Sequence, residues 1–189
     1  MRKNVVHNEV QNQGDYMRIE TKNLIIRNFE MKDKDDLCEY LLQRVDEIYE
    51  ACPDFTVEKA EEEVAWRSES DEFYAVELKE EHKVIGNIYF GKRDFEAREI
   101  GYVFNKNYFG HGYASEAAKA VMLDAFAHGT RRVFGECCPE NTSSWKVMER
   151  IGLKREAHFR KDSSHRKDEN GNPIYWDTYV YAALKEDFE

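Results

Sequence analysis

Two glycines one residue apart, Gly110 and Gly112, sit in the stretch Asn107-Tyr108-Phe109-Gly110-His111-Gly112-Tyr113-Ala114. Glycine admits close approach of a ligand to the backbone. If a helix begins after the second glycine, its first N–H groups have no intrahelical acceptor and converge with the positive end of the helix dipole. The chemistry on offer is then anion binding, phosphate above all. The stretch does not run on into Gly-Lys-Ser/Thr, which excludes a P-loop, and it lacks the third glycine of the dinucleotide fingerprint. Alone, Gly-x-Gly is also the spacing of a plain tight turn.

The flanking elements set the geometry. Residues 99–104, Glu-Ile-Gly-Tyr-Val-Phe, are short and rich in β-formers, whereas residues 113–128 bring Ala114, Ala117, Ala118, Val121, Ala125 and Phe126 to one helical face. The glycines therefore lie where a strand hands over to a helix. Upstream, residues 24–29 read as the first strand and residues 33–50 as a helix in which Leu37, Tyr40, Leu41, Val45 and Ile48 recur every three or four residues before Pro53. A second helix is predicted over residues 57–67, with Thr56 as its cap and Glu58, Glu61, Glu62 and Glu63 as a solvated face. Strands at 73–78, 84–90 and 99–104 are joined by connections too short for a crossover helix, so they run antiparallel. The strand at 132–138 follows the helix at 113–128 and is therefore parallel to its predecessor.

The remaining chain gives a helix at 141–152, with Trp145, Met148 and Ile151 on one face and Gly152 at its end. A strand at 154–159, a polar loop at 161–173 and a final strand at 175–184 complete it. The order βααβββαβαββ predicts one α/β (α+β) domain, a central mixed, mostly antiparallel sheet of about seven strands with helices on both faces. Polar, aperiodic residues 1–16 read as a flexible tail, leaving residues 17–189 as the domain.

A length of 189 residues suits a single core. Acidic residues outnumber basic ones, 38 against 28, for a formal net charge of −10. That field repels nucleic acid and anionic membrane surfaces and favours cationic or amine partners. The sequence has neither a long apolar run nor the apolar core of a signal peptide, so a cytoplasmic protein is expected. Cys38, Cys52, Cys137 and Cys138 lack paired spacing and have no nearby histidine pattern suited to zinc, which points to reduced thiols and no metal.

Three stretches together carry a family resemblance. Residues 107–114 resemble motif A of the GNAT acyltransferases, the Gln/Arg-x-x-Gly-x-Gly/Ala loop, with Asn107 in the Gln/Arg place. Pro139-Glu140-Asn141-Thr142-Ser143-Ser144-Trp145-Lys146-Val147 with Gly152-Leu153 resembles motif B, Pro-x-Asn-x-x-Ser-x-x-Val followed by Gly-Phe. Glu99-Ile100-Gly101-Tyr102 is similar to the start of the fourth strand in the ribosomal-protein N-acetyltransferases of the RimJ/RimL type. The likeness covers about residues 21–184.

That resemblance implies acetyl-CoA as cosubstrate. Backbone N–H groups of Phe109, Gly110, His111, Gly112, Tyr113 and Ala114 would hold its pyrophosphate, and the strand edge at Val103, Phe104 and Asn105 would pair with its pantetheine amides. It assigns Glu99 as general base through water, Ser144 as proton donor to the departing thiolate, and Asn141 as a cofactor contact. Helix capping is the competing role for Asn141 and Ser144. Tyr102, Tyr108 and Tyr175 are reserve acids, and a protonated His111 would assist the phosphates. The implied reaction is direct attack of a primary amine on the thioester in a ternary complex. A protein N-terminal α-amine is the first acceptor, and a polyamine, antibiotic or other small amine is the alternative. A non-catalytic acyl-CoA-binding module is a further reading, while an ATP-binding protein is disfavoured by the missing lysine. Either a monomer or a homodimer is compatible with the sequence.

Overall fold

The structure, a computed structural model, describes residues 17–45 and 54–189. Strand β1 (Arg18–Glu20) pairs antiparallel with β2 (Leu24–Asn28), and helices α1 (Lys34–Leu42) and α2 (Ala60–Glu69) follow. Next come β3 (Phe73–Leu78), β4 (Lys83–Arg93) and β5 (Ala97–Phe104), antiparallel as their short connections require. Helix α3 (Tyr113–Ala127) carries the chain across to β6 (Arg132–Cys137), which is parallel to β5. Helix α4 (Thr142–Ile151) leads to β7 (Lys154–Lys167), and β8 (Pro173–Leu184) inserts antiparallel between β7 and β6. The sheet order is β1-β2-β3-β4-β5-β6-β8-β7.

Pleat alternation sends successive strand residues to opposite faces, and each face has its own core. On one side Leu24, Ile26, Val76, Ile88 and Ile100 meet Ala117, Ala118, Val121 and Met122 of α3 and Met148 and Ile151 of α4. On the other, Ala75 and Val84 meet Leu37, Tyr40 and Leu41 of α1 and Val64 of α2. Each buried aliphatic side chain contributes about 1.5–3 kcal/mol. A buried ion pair closes the α1 end. Arg27 on β2 donates to Asp33 at 2.7 and 2.9 Å and to Glu77 on β3 at 2.9 Å. Burial alone would pull the Arg27 guanidinium down, but Asp33 and Glu77 more than offset this and hold it above its ordinary range.

Four boundaries differ from the sequence reading. The sheet has eight strands among the described residues, because Arg18–Glu20 adds an edge strand too short to show periodicity. α1 ends at Leu42; Val45 lies beyond the helix, and Ile48 falls outside the described residues. α2 is preceded by a 3₁₀ turn, Val57–Lys59, in which Thr56 makes no side-chain cap bond. The expected loop at 161–173 is largely hairpin, since β7 runs to Lys167 and β8 starts at Pro173. An outer strand of charged residues has no apolar alternation to betray it, and its register shifts between Phe159 and Ser163 and again before Arg166.

Candidate active site

β5 and β6 are partners over a short length only. Ala97 pairs with Arg132, Arg98 with Val133 and Glu99 with Phe134. Beyond these, β5 stays paired with β4 as far as Phe104 and β6 with β8 as far as Cys137, but not with each other. The facing edges of residues 100–104 and 135–137 therefore border a cleft that opens toward the carboxyl ends of two parallel strands, the usual ligand position in such sheets. Near its narrow end a Cβ on Gly135 would stand 2.9 Å from the Ile100 carbonyl oxygen.

At the wide end the glycine loop is tied down from below. Asn105 is fully buried; its side-chain oxygen accepts from the Asn107 N–H at 3.0 Å and from Gln43 at 2.9 Å, and its amide donates to Glu39 at 2.7 Å. The Asn105 N–H itself bonds to the Ile85 carbonyl at 2.8 Å, so β4 rather than the open edge receives it. Gly110 and Gly112 have φ of +85° and +82°, where L side chains are strained, and a Cβ on either would meet nothing within 4 Å. Their glycines are thus conformational, and the loop faces open space. Gly112 is the N-cap of α3, so the N–H groups of the first helical turn point out of that space's wall. Among the described residues the Ser115 hydroxyl in that turn is buried without a partner. His111 stacks on Tyr113, ring centroids 5.5 Å apart, with Nδ1 3.1 Å from the Phe109 carbonyl. The Tyr108 hydroxyl donates to Glu81, and this bond with burial pushes it up to about 12, so it is a weak acid at neutral pH.

The other lip is α4. Asn141 caps the helix: its side-chain oxygen accepts from the Ser144 N–H at 3.2 Å and from the Ser143 hydroxyl at 2.8 Å. Tyr102 reaches across the cleft, donating to the Ser144 carbonyl at 2.6 Å with its oxygen 3.3 Å from Ser144 Oγ. Ile100 belongs to the α3/α4 core, so alternation turns Tyr102 to that face and Glu99 to the opposite one. Glu99 stands at the apex, where pairing ends, and its carboxylate is held by Arg93 of β4. The same guanidinium donates to the Tyr89 hydroxyl at 3.0 Å, and Tyr89 with Glu99 keeps Arg93 above its ordinary range. On β6, Glu136 shares the face of Phe134, the partner of Glu99. Burial pushes its carboxyl up, as do the charges of Glu99 and Asp162, against the opposing charge of Arg93.

The acetyltransferase (GNAT) domain family matches residues 23–154. The chain belongs to the GNAT acetyltransferases. An uncharacterized N-acetyltransferase of Bacillus subtilis (strain 168), YnaD, is 38% identical over 180 residues, spanning 91% of this chain and 99% of the relative. The crystal structure of a GNAT-family acetyltransferase from Bacillus anthracis superposes with a TM-score of 0.78 at 38% identity, covering 90% of this chain and 99% of the other. RimL, a ribosomal L7/L12 α-N-protein acetyltransferase solved with coenzyme A, shares the fold at 19% identity and a TM-score of 0.74, over 89% and 98% of the two chains.

In this acetyltransferase the structure gathers the sequence-predicted residues along one cleft: Glu99 at the apex, Val103 and Phe104 on the β5 edge, the loop from Phe109 to Ala114 at the wide end, and Asn141 and Ser144 on the α4 lip. Tyr175 lies apart, exposed on the β7–β8 hairpin. Sequence reading missed Ser115, Tyr89, Arg93 and Glu136. The first is one residue past the glycine motif, and the others reach the site only through strand pairing. Cys138 donates its thiol to Glu140 at 2.6 Å, and burial with that bond pushes it up to about 11, which disqualifies it as a nucleophile at neutral pH. Cys38 and Cys137 are also free thiols, and Cys52 falls outside the described residues. A cavity of about 350 Å³ lined by Trp145, Glu149, Arg155, Tyr179 and Tyr181 lies between α4, β7 and β8 rather than in the cleft. Its polar groups are already engaged: Tyr181 bonds to Glu149 at 3.1 Å, and the Arg155 guanidinium stacks 4.4 Å from the Tyr179 ring centre.

Proposed function

We propose that the protein is a cytoplasmic acetyl-CoA-dependent N-acetyltransferase that acetylates a primary amine by direct attack in a ternary complex. The observation that carries this reading is the short β5–β6 junction, which leaves two free backbone edges between the glycine loop and Glu99. The chain's own groups fit the cosubstrate. The first-turn N–H groups of α3 and the unpartnered Ser115 hydroxyl suit a pyrophosphate, and the edge at Val103 and Phe104 suits amide pairing. Bound acetyl-CoA supplies the acetyl thioester. Glu99 draws the proton of the attacking amine through a water molecule, and Ser144 donates one to the departing sulfur from the opposite face, with Asn141 fixing the Ser144 backbone. The bound coenzyme A of RimL supports the placement by fold.

Energetics favour an α-amine as acceptor. At pH 7 deprotonating an α-amine of pKa about 7.7–8.0 costs about 1–1.4 kcal/mol, against about 4.6 for a lysine near 10.4. A single carboxylate acting through water suits the smaller cost. A small cationic amine is the second reading, favoured by Glu136, which shares the face of Glu99 and feels its charge and that of Asp162. Mass spectrometry of peptide and amine libraries incubated with protein and acetyl-CoA tests both. Acetylated N-termini are expected; coenzyme binding with neither acetylation nor thiol release would overturn the enzymatic reading.

A further inference from the structure

Arg93 lies between the strands read from the sequence at 84–90 and 99–104, yet the fold extends β4 to it and sets it against Glu99. Cross-strand partners share a face, and Gly91 pairs with Glu99, Tyr89 with Gly101 and Arg93 with Ala97. Tyr89, Arg93 and Glu99 therefore lie together on the acceptor side of the sheet. The guanidinium has three tethers: the Glu99 carboxylate, the Tyr89 hydroxyl at 3.0 Å and the Lys92 carbonyl at 2.7 Å. Tyr89 can reach Arg93 only by lying back over Gly91. A Cβ at Gly91 would stand 2.1 Å from the tyrosine oxygen and 3.0 Å from Arg93 Nη1. The Phe73 ring, its centre 5.0 Å from that of Tyr89, supports the tyrosine from the neighbouring strand.

We propose that Arg93 is a positioning residue for the acetyl-transfer reaction, holding the Glu99 carboxylate at the apex of the cleft, and that Tyr89, seated over Gly91, holds Arg93. This rests on the reading that Glu99 handles the amine proton. The groups facing it make the need physical. At Glu136 on β6 the charges of Glu99 on β5 and Asp162 on β7 act as like charges, and Arg93 on β4 opposes them. Without a cation there, neighbouring carboxylates retain protons to higher pH and repel one another out of line. Arginine suits the task because its planar fork can bond a carboxylate and a hydroxyl together, which a lysine ammonium does with less geometric control.

The test compares Arg93→Gln, Arg93→Lys and Gly91→Ala with wild type, using acetyl-CoA affinity and thermal midpoint as folding controls. Arg93→Gln is expected to lower kcat between about tenfold and a hundredfold with KM for acetyl-CoA and acetyl-CoA affinity unchanged. Arg93→Lys should restore part of kcat, and Gly91→Ala should lower kcat in the same direction by displacing Tyr89. An activity-independent measurement accompanies these: in Arg93→Gln the Glu99 carboxyl ¹³C resonance at pH 7 should move to that of a solvated carboxylate. Wild-type kcat in Arg93→Gln, or an unmoved Glu99 resonance, overturns the proposal. A moved resonance in a protein whose wild type acetylates no amine instead overturns the functional reading.

Discussion

At the scale of single residues, strand alternation separates the two groups proposed to move protons. Glu99 projects toward the α1/α2 side, and Tyr102, with Ser144 beside it, lies on the α3/α4 side. The Glu99 carboxylate is bound by the Arg93 guanidinium, which fixes its position at the apex of the cleft. Glu99→Gln keeps the shape and removes the charge. Turnover should fall by about 10²–10⁴-fold while acetyl-CoA affinity stays nearly constant, measured by steady-state kinetics and calorimetry. Unchanged turnover would remove Glu99 from the mechanism. Tyr108, a candidate acid from the sequence, has its proton committed to Glu81, and Tyr102 donates its own to the Ser144 carbonyl, which leaves the Ser144 hydroxyl as the better donor.

At the scale of elements, the loop–helix junction depends on backbone conformation more than on side chains. Gly112→Ala places a methyl in open space but forces an L residue to φ near +82°. The expected loss is about 1–2 kcal/mol, with acetyl-CoA affinity weakened about tenfold, read from urea unfolding and binding isotherms. This junction was legible in the sequence because glycine spacing, the strand before it and the alanine-rich face after it all point to one geometry. α4 was legible for the same reason, between Asn141 as cap and Gly152 with φ of +103° as stop. The turn from β4 to β5 was not. It places Phe95 and Glu96 at φ of 60° and 51°, conformations that Asn-Gly would normally announce. The pairing of Gly91 with Glu99 is likewise a long-range fact, so Arg93 read as one charge among several. Polar β7 was read as a loop beyond residue 159 because its exposed residues have no apolar period.

At the scale of the whole molecule, a small number of polar ties join segments far apart in sequence. Glu116 in the first turn of α3 accepts from the Thr21 hydroxyl at 2.6 Å and from the Asn23 N–H and side-chain amide, each at 2.8 Å, fastening the β1–β2 turn to the helix that carries the glycine loop. Burial pushes the Glu116 carboxyl up, but those bonds outweigh it and hold it below its ordinary range. A depressed carboxylate stabilises the fold above its unfolded value, near 4.3, and that contribution is lost as pH falls through the folded value. Glu116→Gln should therefore destabilise the protein by about 1–2 kcal/mol at pH 7 in urea unfolding, with the deficit shrinking below about pH 4. A deficit that is the same at pH 7 and pH 3 would assign the tie to shape rather than charge.

The through-sheet cleft has a consequence for traffic. Because β5 and β6 separate just after Glu99, the sheet has a slot with an acidic α1/α2 side and a hydroxyl-lined α4 side. In the proposed reaction the acceptor arrives and its acetylated form departs on the first side, while the thiol is served from the second. On that reading the two products would leave by different sides of the sheet, and product-inhibition kinetics should show no compulsory order of release.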